Sequence, residues 1–179
     1  MNAQKKSPAR PTVARQVAVA VLLLVAVAAI AAFGALANSG NVDGWYASAG
    51  KAPWTPPNRV FAPAWTTLYL LIAIVGLLIW RAGYTGSGSP NGARKALGIY
   101  IAQLVLNAVW SPVFFAGYPL IGAAAWWLAM GVILALVLCV AWLIVEAAKW
   151  SRIAAWLLVP YAAWLLFAST LNAGIIALN

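Results

Sequence analysis

The chain has 179 residues, of which 65% are hydrophobic and 7% charged, and its formal net charge is +9. Soluble domains carry about 25% charged residues, so this composition predicts an integral membrane protein. It has no His and only two acidic residues, Asp43 and Glu146, which excludes His-based metal and haem ligation and argues against carboxylate proton relays and familiar hydrolase sites.

Five apolar runs follow a basic N-terminus. Residues 1–15 are polar with four basic side chains, which predicts a disordered tail. The uncharged run 16–37 spans about 33 Å as a helix, enough to cross a bilayer. A signal peptide has a similar pattern, but its apolar core is shorter. The prediction for 16–179 is an all-α membrane bundle of five transmembrane helices, at residues 16–37, 61–82, 96–116, 120–145 and 153–177.

The connector at residues 38–60 is too rigid and too aromatic for a plain loop. Three Pro residues and a Gly fall between Gly50 and Pro57, which prevents a regular helix there. The stretch that begins in this connector and ends in the second predicted helix carries five large aromatic residues: Trp45, Tyr46, Trp54, Phe61 and Trp65. We expect this connector to form a lid over a cavity at the membrane surface.

Basic residues predict the orientation. Nine of the eleven Lys and Arg residues lie in the tail and in the second and fourth connectors, whereas Lys51 and Arg59 lie in the lid. The positive-inside rule then places the N-terminus in the cytoplasm and the lid outside. Because the basic residues sit at the ends of apolar runs, lipid headgroups explain them better than nucleic acid does.

The third predicted helix carries a polar stripe. Gln103, Asn107 and Ser111 are spaced four apart and share one face, flanked by Trp110. Two interpretations are open: hydrogen bonds between helices, or the polar wall of a ligand cavity. Pro112 removes a backbone hydrogen bond where the stripe ends, so we expect the helix to bend there.

The fifth predicted helix repeats this spacing. Trp164, Ala168 and Asn172 are four apart, and a large ring followed by a small residue leaves room for a flat apolar body. Ordinary packing is the alternative. On the second helix, Trp65 and Tyr69 share a face below the lid.

Small residues indicate a helix contact. Gly98 and Ala102 form a small-xxx-small pair on the third helix, which favours close packing, either within the chain or between two copies. Cys139 is the only Cys, so the chain has no disulfide framework and no CxxC motif.

Several motifs resemble those of one family. WY-x(4)-K-x-P-WTPP, F-x-P-x-WTTLY, QLVLNAVWSPVFF and LLVPYAAWLLFASTLN occur in order between residues 45 and 172. They are similar to motifs of the translocator protein family, also called TspO/MBR or tryptophan-rich sensory protein. The resemblance covers residues 45–179. It implies a five-helix bundle, usually a homodimer, whose pocket under the first loop binds porphyrins, synthetic aromatic ligands and, in animals, cholesterol.

The resemblance also implies roles for particular residues. Ligand contacts are expected at Tyr46, Trp65, Asn107, Trp110, Ser111, Trp164 and Ala168. It favours the cavity interpretation of both stripes and places the dimer contact at Gly98 and Ala102. No cofactor or metal is expected. Three functions are implied: a porphyrin receptor that senses or regulates tetrapyrrole metabolism, a light-dependent porphyrin-degrading enzyme using Trp65 and Trp164, or a porphyrin or sterol transporter.

The chain departs from the family pattern at a few positions. Ala52 stands where relatives often have Pro, so the path of the lid is expected to differ. Trp126 and Trp127 are larger than the residues usual at the start of the fourth helix and are expected to narrow the pocket. No basic residue follows Tyr161, as a sterol motif on this helix requires.

Overall fold

The computed structural model describes residues 10–179. In this part there is no strand, and five helices are long and apolar enough to cross a membrane, which confirms the predicted all-α membrane bundle. The long helices are α1 (Val13–Asn38), α3 (Phe61–Ala82), α4 (Arg94–Ser111), α6 (Ala124–Ala148) and α7 (Arg152–Leu178). Two short helices, α2 (Trp45–Ser48) and α5 (Tyr118–Ile121), lie in connectors.

The N-terminal tail was predicted to reach residue 15. Residues 1–9 of that tail lie outside the described part, and α1 begins at Val13. Thr12 caps the helix, because its side-chain oxygen accepts a hydrogen bond from the backbone N–H of Arg15 at 3.3 Å. Val13, Ala14 and Arg15 are therefore helical. The apolar pattern alone had placed these three residues in the tail.

The bend expected at Pro112 takes the form of a π-helical turn, Pro112–Ala116, at the end of α4. The N–H of Gly117 donates to the carbonyl of Pro112 at 2.9 Å, five residues back. The chain then forms α5, and Gly122 ends it with a φ of 62°, a conformation that favours glycine. For this reason the fourth span begins at Ala124 and not at residue 120.

Packing is uneven around the bundle. Helix α6 packs along both α4 and α7 and buries nine of its residues. Helix α1 packs against α3 and α4, yet only Val27 of α1 is buried. On α4, Gly98 and Ala102 face outward, and no atom lies within 4 Å of a Cβ built on Gly98. This surface is open to a second copy, and the homodimer remains a prediction.

A chain of hydrogen bonds joins three helices in the middle of the bundle. The Tyr69 hydroxyl on α3 donates to Asn107 Oδ1 on α4 at 2.9 Å. Asn107 Nδ2 donates to the Tyr161 hydroxyl on α7 at 2.9 Å, and that hydroxyl donates to Gln103 Oε1 at 3.1 Å. Gln103 and Tyr161 are fully buried, so lipid and water do not compete with these bonds.

The two ends of the bundle differ in charge. At one end, the Arg15 guanidinium donates to the Tyr84 hydroxyl at 2.7 Å and to Ser87 Oγ at 2.6 Å, which ties the start of α1 to the second connector. At the other end, the backbone N–H of Gly50 in the lid donates to Asn179 Oδ1 at 2.8 Å. The basic connectors therefore lie together, opposite the lid and the end of α7.

This arrangement predicts which side an external reagent reaches. We expect a membrane-impermeant maleimide to label Ser48→Cys in intact cells and to leave Ser87→Cys unlabelled until the membrane is permeabilised. Both positions are exposed, and a Cys139→Ala background removes the native thiol. Labelling of position 87 but not 48 from outside would reverse the orientation.

The polar chain predicts a loss of stability in Tyr161→Phe. Removal of this hydroxyl leaves Asn107 Nδ2 and Gln103 Oε1 without partners, and a buried unsatisfied group costs about 1–3 kcal/mol. We expect a lower midpoint of thermal unfolding in detergent. Tyr118→Phe is the matched control, because the Tyr118 hydroxyl makes no hydrogen bond to the described residues. An unchanged midpoint in Tyr161→Phe would show that this chain of hydrogen bonds contributes little to the stability of the protein.

Candidate ligand-binding cavity

The bundle encloses a cavity of about 470 Å³ below the lid. Residues from α1, α2, α3, α4, α6 and α7 line it, and this volume suits a drug-sized ligand. All seven side chains predicted to touch a ligand lie in its wall: Tyr46, Trp65, Asn107, Trp110, Ser111, Trp164 and Ala168. Residues more than 120 positions apart in the sequence thus meet at one site.

Aromatic rings form two sides of the cavity. On one side, the rings of Trp65 and Trp164 meet edge to face, with centroids 6.3 Å apart and an interplanar angle of 83°. Tyr69 extends this group, with its ring centroid 5.3 Å from that of Trp65. On another side, Trp110 stacks on Phe114 at 5.3 Å. Such walls offer ring faces and ring edges to a flat ligand.

A few polar atoms interrupt this aromatic surface. Ser111 Oγ donates to Asn38 Oδ1 at 2.8 Å, which joins α4 to the end of α1. The indole N–H groups of Trp110 and Trp164 are buried without an acceptor in the described part, and Asn172 Oδ1 is buried there without a donor. Buried polar groups normally have partners. These three atoms are buried too deeply to touch a water molecule in the cavity, so in this conformation they are not available to a ligand.

No charged side chain lines the cavity within the described residues. Tyr46 is the one titratable lining residue that lies in the lid, and burial raises the pKa of its hydroxyl above the usual value of 10.0. Because the neutral form of a phenol predominates below its pKa, a raised value keeps Tyr46 uncharged at physiological pH. The lining residues of the described part therefore contribute dipoles and ring quadrupoles but no formal charge.

The first half of the lid is anchored by Trp45. Its indole N–H donates to the carbonyl of Phe115 at 3.0 Å, in the π-helical turn. Its ring centroid lies 4.5 Å from that of Tyr118 and 5.6 Å from that of Trp126. This packing holds the neighbouring Tyr46, which is buried, against the cavity.

The second half of the lid is fixed to α7. Asn179 accepts a hydrogen bond from Gly50 and donates one back to the carbonyl of Gly50 at 3.0 Å. The indole N–H of Trp54 donates to Thr170 Oγ1 at 3.1 Å. Ala52 is buried against Gly174, where an added Cβ would come within 2.8 Å of the Ala52 Cβ. Ala52, a departure from the family pattern, is thus a tight packing contact between lid and helix.

The cavity has a mouth on the side of the bundle. Four of its lining residues are themselves exposed: Ala35, Asn58, Ala62 and Thr66. Ala35 belongs to α1, Ala62 and Thr66 belong to the first half of α3, and Asn58 lies in the 3₁₀ turn Asn58–Val60 that precedes α3. The opening therefore lies between α1 and α3, near the lid end of the bundle.

Trp126 and Trp127 do not narrow the cavity as expected, because neither lines it. Trp126 is buried beside the lid, stacked on Tyr118 at 4.5 Å, and its carbonyl accepts a hydrogen bond from Asn172 Nδ2 at 3.1 Å. Trp127 is 62% exposed on the outer surface. These two adjacent residues of α6 thus differ in their surroundings: Trp126 packs inside the protein, and Trp127 lies on its outer surface.

Sequence reasoning missed other lining residues, notably Asn38, Tyr69, Phe114 and Asn172. Tyr69 and Asn172 already shared a face with predicted residues, so the four-residue spacing was a usable signal. Asn38 had no such signal, since it is the last residue of α1 and reaches the cavity through its contact with Ser111. Gln103, in contrast, lies on the polar stripe but not in the cavity wall.

Comparisons with known sequences all point to one family of proteins. The sequence model of the TspO/MBR family matches residues 20–178. A tryptophan-rich protein TspO of Archaeoglobus fulgidus is 38% identical over 87% of this chain and 94% of its own length. A tryptophan-rich sensory protein of Cereibacter sphaeroides is 37% identical over 68% of this chain and 67% of its own length.

A mammalian protein is similarly related. The translocator protein of Sus scrofa is 38% identical, and the match covers 80% of this chain and 82% of that protein. The family match extends from within α1 almost to the end of α7, so it includes the lid and the helices that form the cavity. This chain belongs to the TspO/MBR family of membrane proteins.

Proposed function

We propose that this membrane protein binds porphyrins of the protoporphyrin type, and other flat apolar ligands, in the cavity below the lid. In this role it acts as a sensor or regulator of tetrapyrrole metabolism. The observation that carries the proposal is an uncharged cavity of about 470 Å³ with Trp65, Trp110 and Trp164 in its wall. The names of two relatives, a sensory protein and a translocator protein, are compatible with such a role.

The chemistry of the wall suits a metal-free tetrapyrrole. A porphyrin is a flat aromatic ring system, and its faces and edges pack well against indole rings. Apolar burial and stacking supply affinity without an ionic partner. The chain contains no His to ligate a haem iron.

Asn107 and Ser111 give the wall its fixed polar points. Asn107 is held by Tyr69 and Tyr161, and it uses one of its two amide hydrogens in these bonds. Ser111 donates its hydrogen to Asn38 and keeps lone pairs for a ligand donor. Because both side chains are held by the protein, ligand binding would cost them little conformational entropy.

The assembly and location complete the proposal. The protein would work as a homodimer through the outward surface of α4 around Gly98 and Ala102, where two helices can approach closely. It would lie in a bacterial inner membrane with the lid outside, as the distribution of basic residues between the two ends indicates.

One observation favours a second candidate function, the light-dependent degradation of porphyrin. Trp65 and Trp164 lie 6.3 Å apart in the same wall. A photoexcited porphyrin in contact with either ring would take one electron from it, which leaves an indole radical cation and a porphyrin radical anion. Molecular oxygen would then add to the porphyrin radical anion, and return of one electron from this adduct to the indole radical cation would restore Trp and leave a porphyrin that has gained both oxygen atoms.

Porphyrin binding predicts saturable quenching of Trp fluorescence when protoporphyrin IX is titrated into the protein in detergent. We expect Trp65→Phe and Trp164→Phe each to raise the Kd about 2- to 13-fold, since an aromatic contact contributes about 0.5–1.5 kcal/mol beyond area burial. Trp156→Phe is the matched control, because Trp156 is 71% exposed and does not line the cavity. Absence of saturation, or equal affinities in all three variants, would contradict the proposal.

Illumination separates catalysis from binding. If the protein degrades porphyrin, we expect visible light in air to convert bound protoporphyrin to a defined product, and Trp65→Phe to abolish this conversion while some binding remains. Absorbance and mass spectrometry follow the reaction, and a sample kept under nitrogen tests the need for oxygen. Equal loss of porphyrin with and without protein would leave binding as the only function.

A further inference from the structure

Among the described residues, no charged side chain lines the cavity. Inside, the polar lining groups are neutral amides, hydroxyls and indoles. Burial of an unpaired carboxylate in such surroundings is strongly unfavourable. A tetrapyrrole with two carboxylates therefore cannot be enclosed completely without a large loss of affinity, although its ring system suits the walls.

The lid connector carries two basic residues, Lys51 and Arg59, close in sequence to residues of the lining. Lys51 Nζ donates to the carbonyls of Ala47 and Ala49 at 3.0 and 3.1 Å, and it lies 4.9 Å from the ring centroid of Tyr46. Lys51 is thus engaged by the lid itself. Its side chain is held on the lid, and only the Tyr46 ring belongs to the cavity wall.

Arg59 differs from Lys51 in its position and in its lack of partners within the lid. It is exposed in the turn Asn58–Val60, directly after Asn58, which lines the mouth between α1 and α3. Across residues 10–179, nothing makes a hydrogen bond or an ion pair with its guanidinium. Asp43, the acidic residue of the lid connector, is also exposed and does not line the cavity.

We infer that the cavity binds only the uncharged body of its ligand, and that the carboxylates of an acidic ligand stay at the mouth between α1 and α3, beside Arg59. This inference rests on the proposed porphyrin binding and adds the orientation and the charge preference of the ligand. Neutral ligands of the same shape bind in the same cavity. Arg59 is a specificity-determining residue for acidic ligands and has no role for neutral ones.

The experiment compares two ligands with the same ring system: protoporphyrin IX, a diacid, and its uncharged dimethyl ester. Wild-type protein in nanodiscs of neutral phosphatidylcholine is expected to bind both, with Kd values within about fivefold of each other. Arg59→Gln should weaken binding of the diacid about two- to fivefold, as for a solvent-exposed ion pair, and leave the ester unchanged. Arg59→Lys should restore most of the loss, and added salt should weaken only the diacid.

Arg81→Gln is the matched control, because Arg81 is an exposed arginine at the opposite end of α3. It should change neither Kd. Binding of the diacid with no binding of the ester would overturn the inference, since the carboxylates would then be recognised inside. An Arg59→Gln variant that binds both ligands as the wild type does, or weakens both equally, would overturn the role of Arg59. If neither ligand binds, the proposed function itself fails.

Discussion

A polar group in the middle of this bundle can pair only within the protein, because hydrocarbon supplies no partner. The chain of bonds from Tyr69 through Asn107 and Tyr161 to Gln103 provides such partners across three helices, although Gln103 Nε2 itself has none in the described part. It fixes α3, α4 and α7 relative to one another at the depth where the cavity ends. The walls of the cavity are held in place because the bonds beneath it leave those helices few alternative arrangements.

The polar stripe of α4 shows how one helix serves both structure and binding. Gln103, the deepest of the three residues, bonds only within the bundle core and lies outside the cavity. Asn107 belongs both to the bonded chain and to the cavity wall, and Ser111 meets Asn38 near the lid. Hydrogen bonds between helices are therefore present along the whole stripe, and Asn107 and Ser111 line the cavity in addition.

Sequence reasoning predicted the parts of this structure that depend on periodicity and composition. Hydropathy identified the five spans. The four-residue spacing grouped Asn107 with Ser111 on α4 and Trp164 with Ala168 on α7, and the family resemblance favoured a cavity, which all four residues line. The predicted boundary of the fourth span was wrong because it depends on local backbone conformation: Gly122 has a positive φ, and α6 begins only at Ala124. Sequence reasoning also failed at Trp126, since a departure from the family pattern does not tell which neighbour the larger ring will meet.

The lid and the mouth are held by different contacts. The lid is tied to the π-helical turn by Trp45 and to α7 by Trp54 and the Gly50–Asn179 pair. The mouth, in contrast, lies beside α1, in which Val27 alone is buried. Small side chains, Ala35 and Ala62, flank the opening at that side. The lid is held by several hydrogen bonds, whereas the mouth is bordered by the least buried of the five long helices, so the lid is the more firmly fixed of these two boundaries of the cavity.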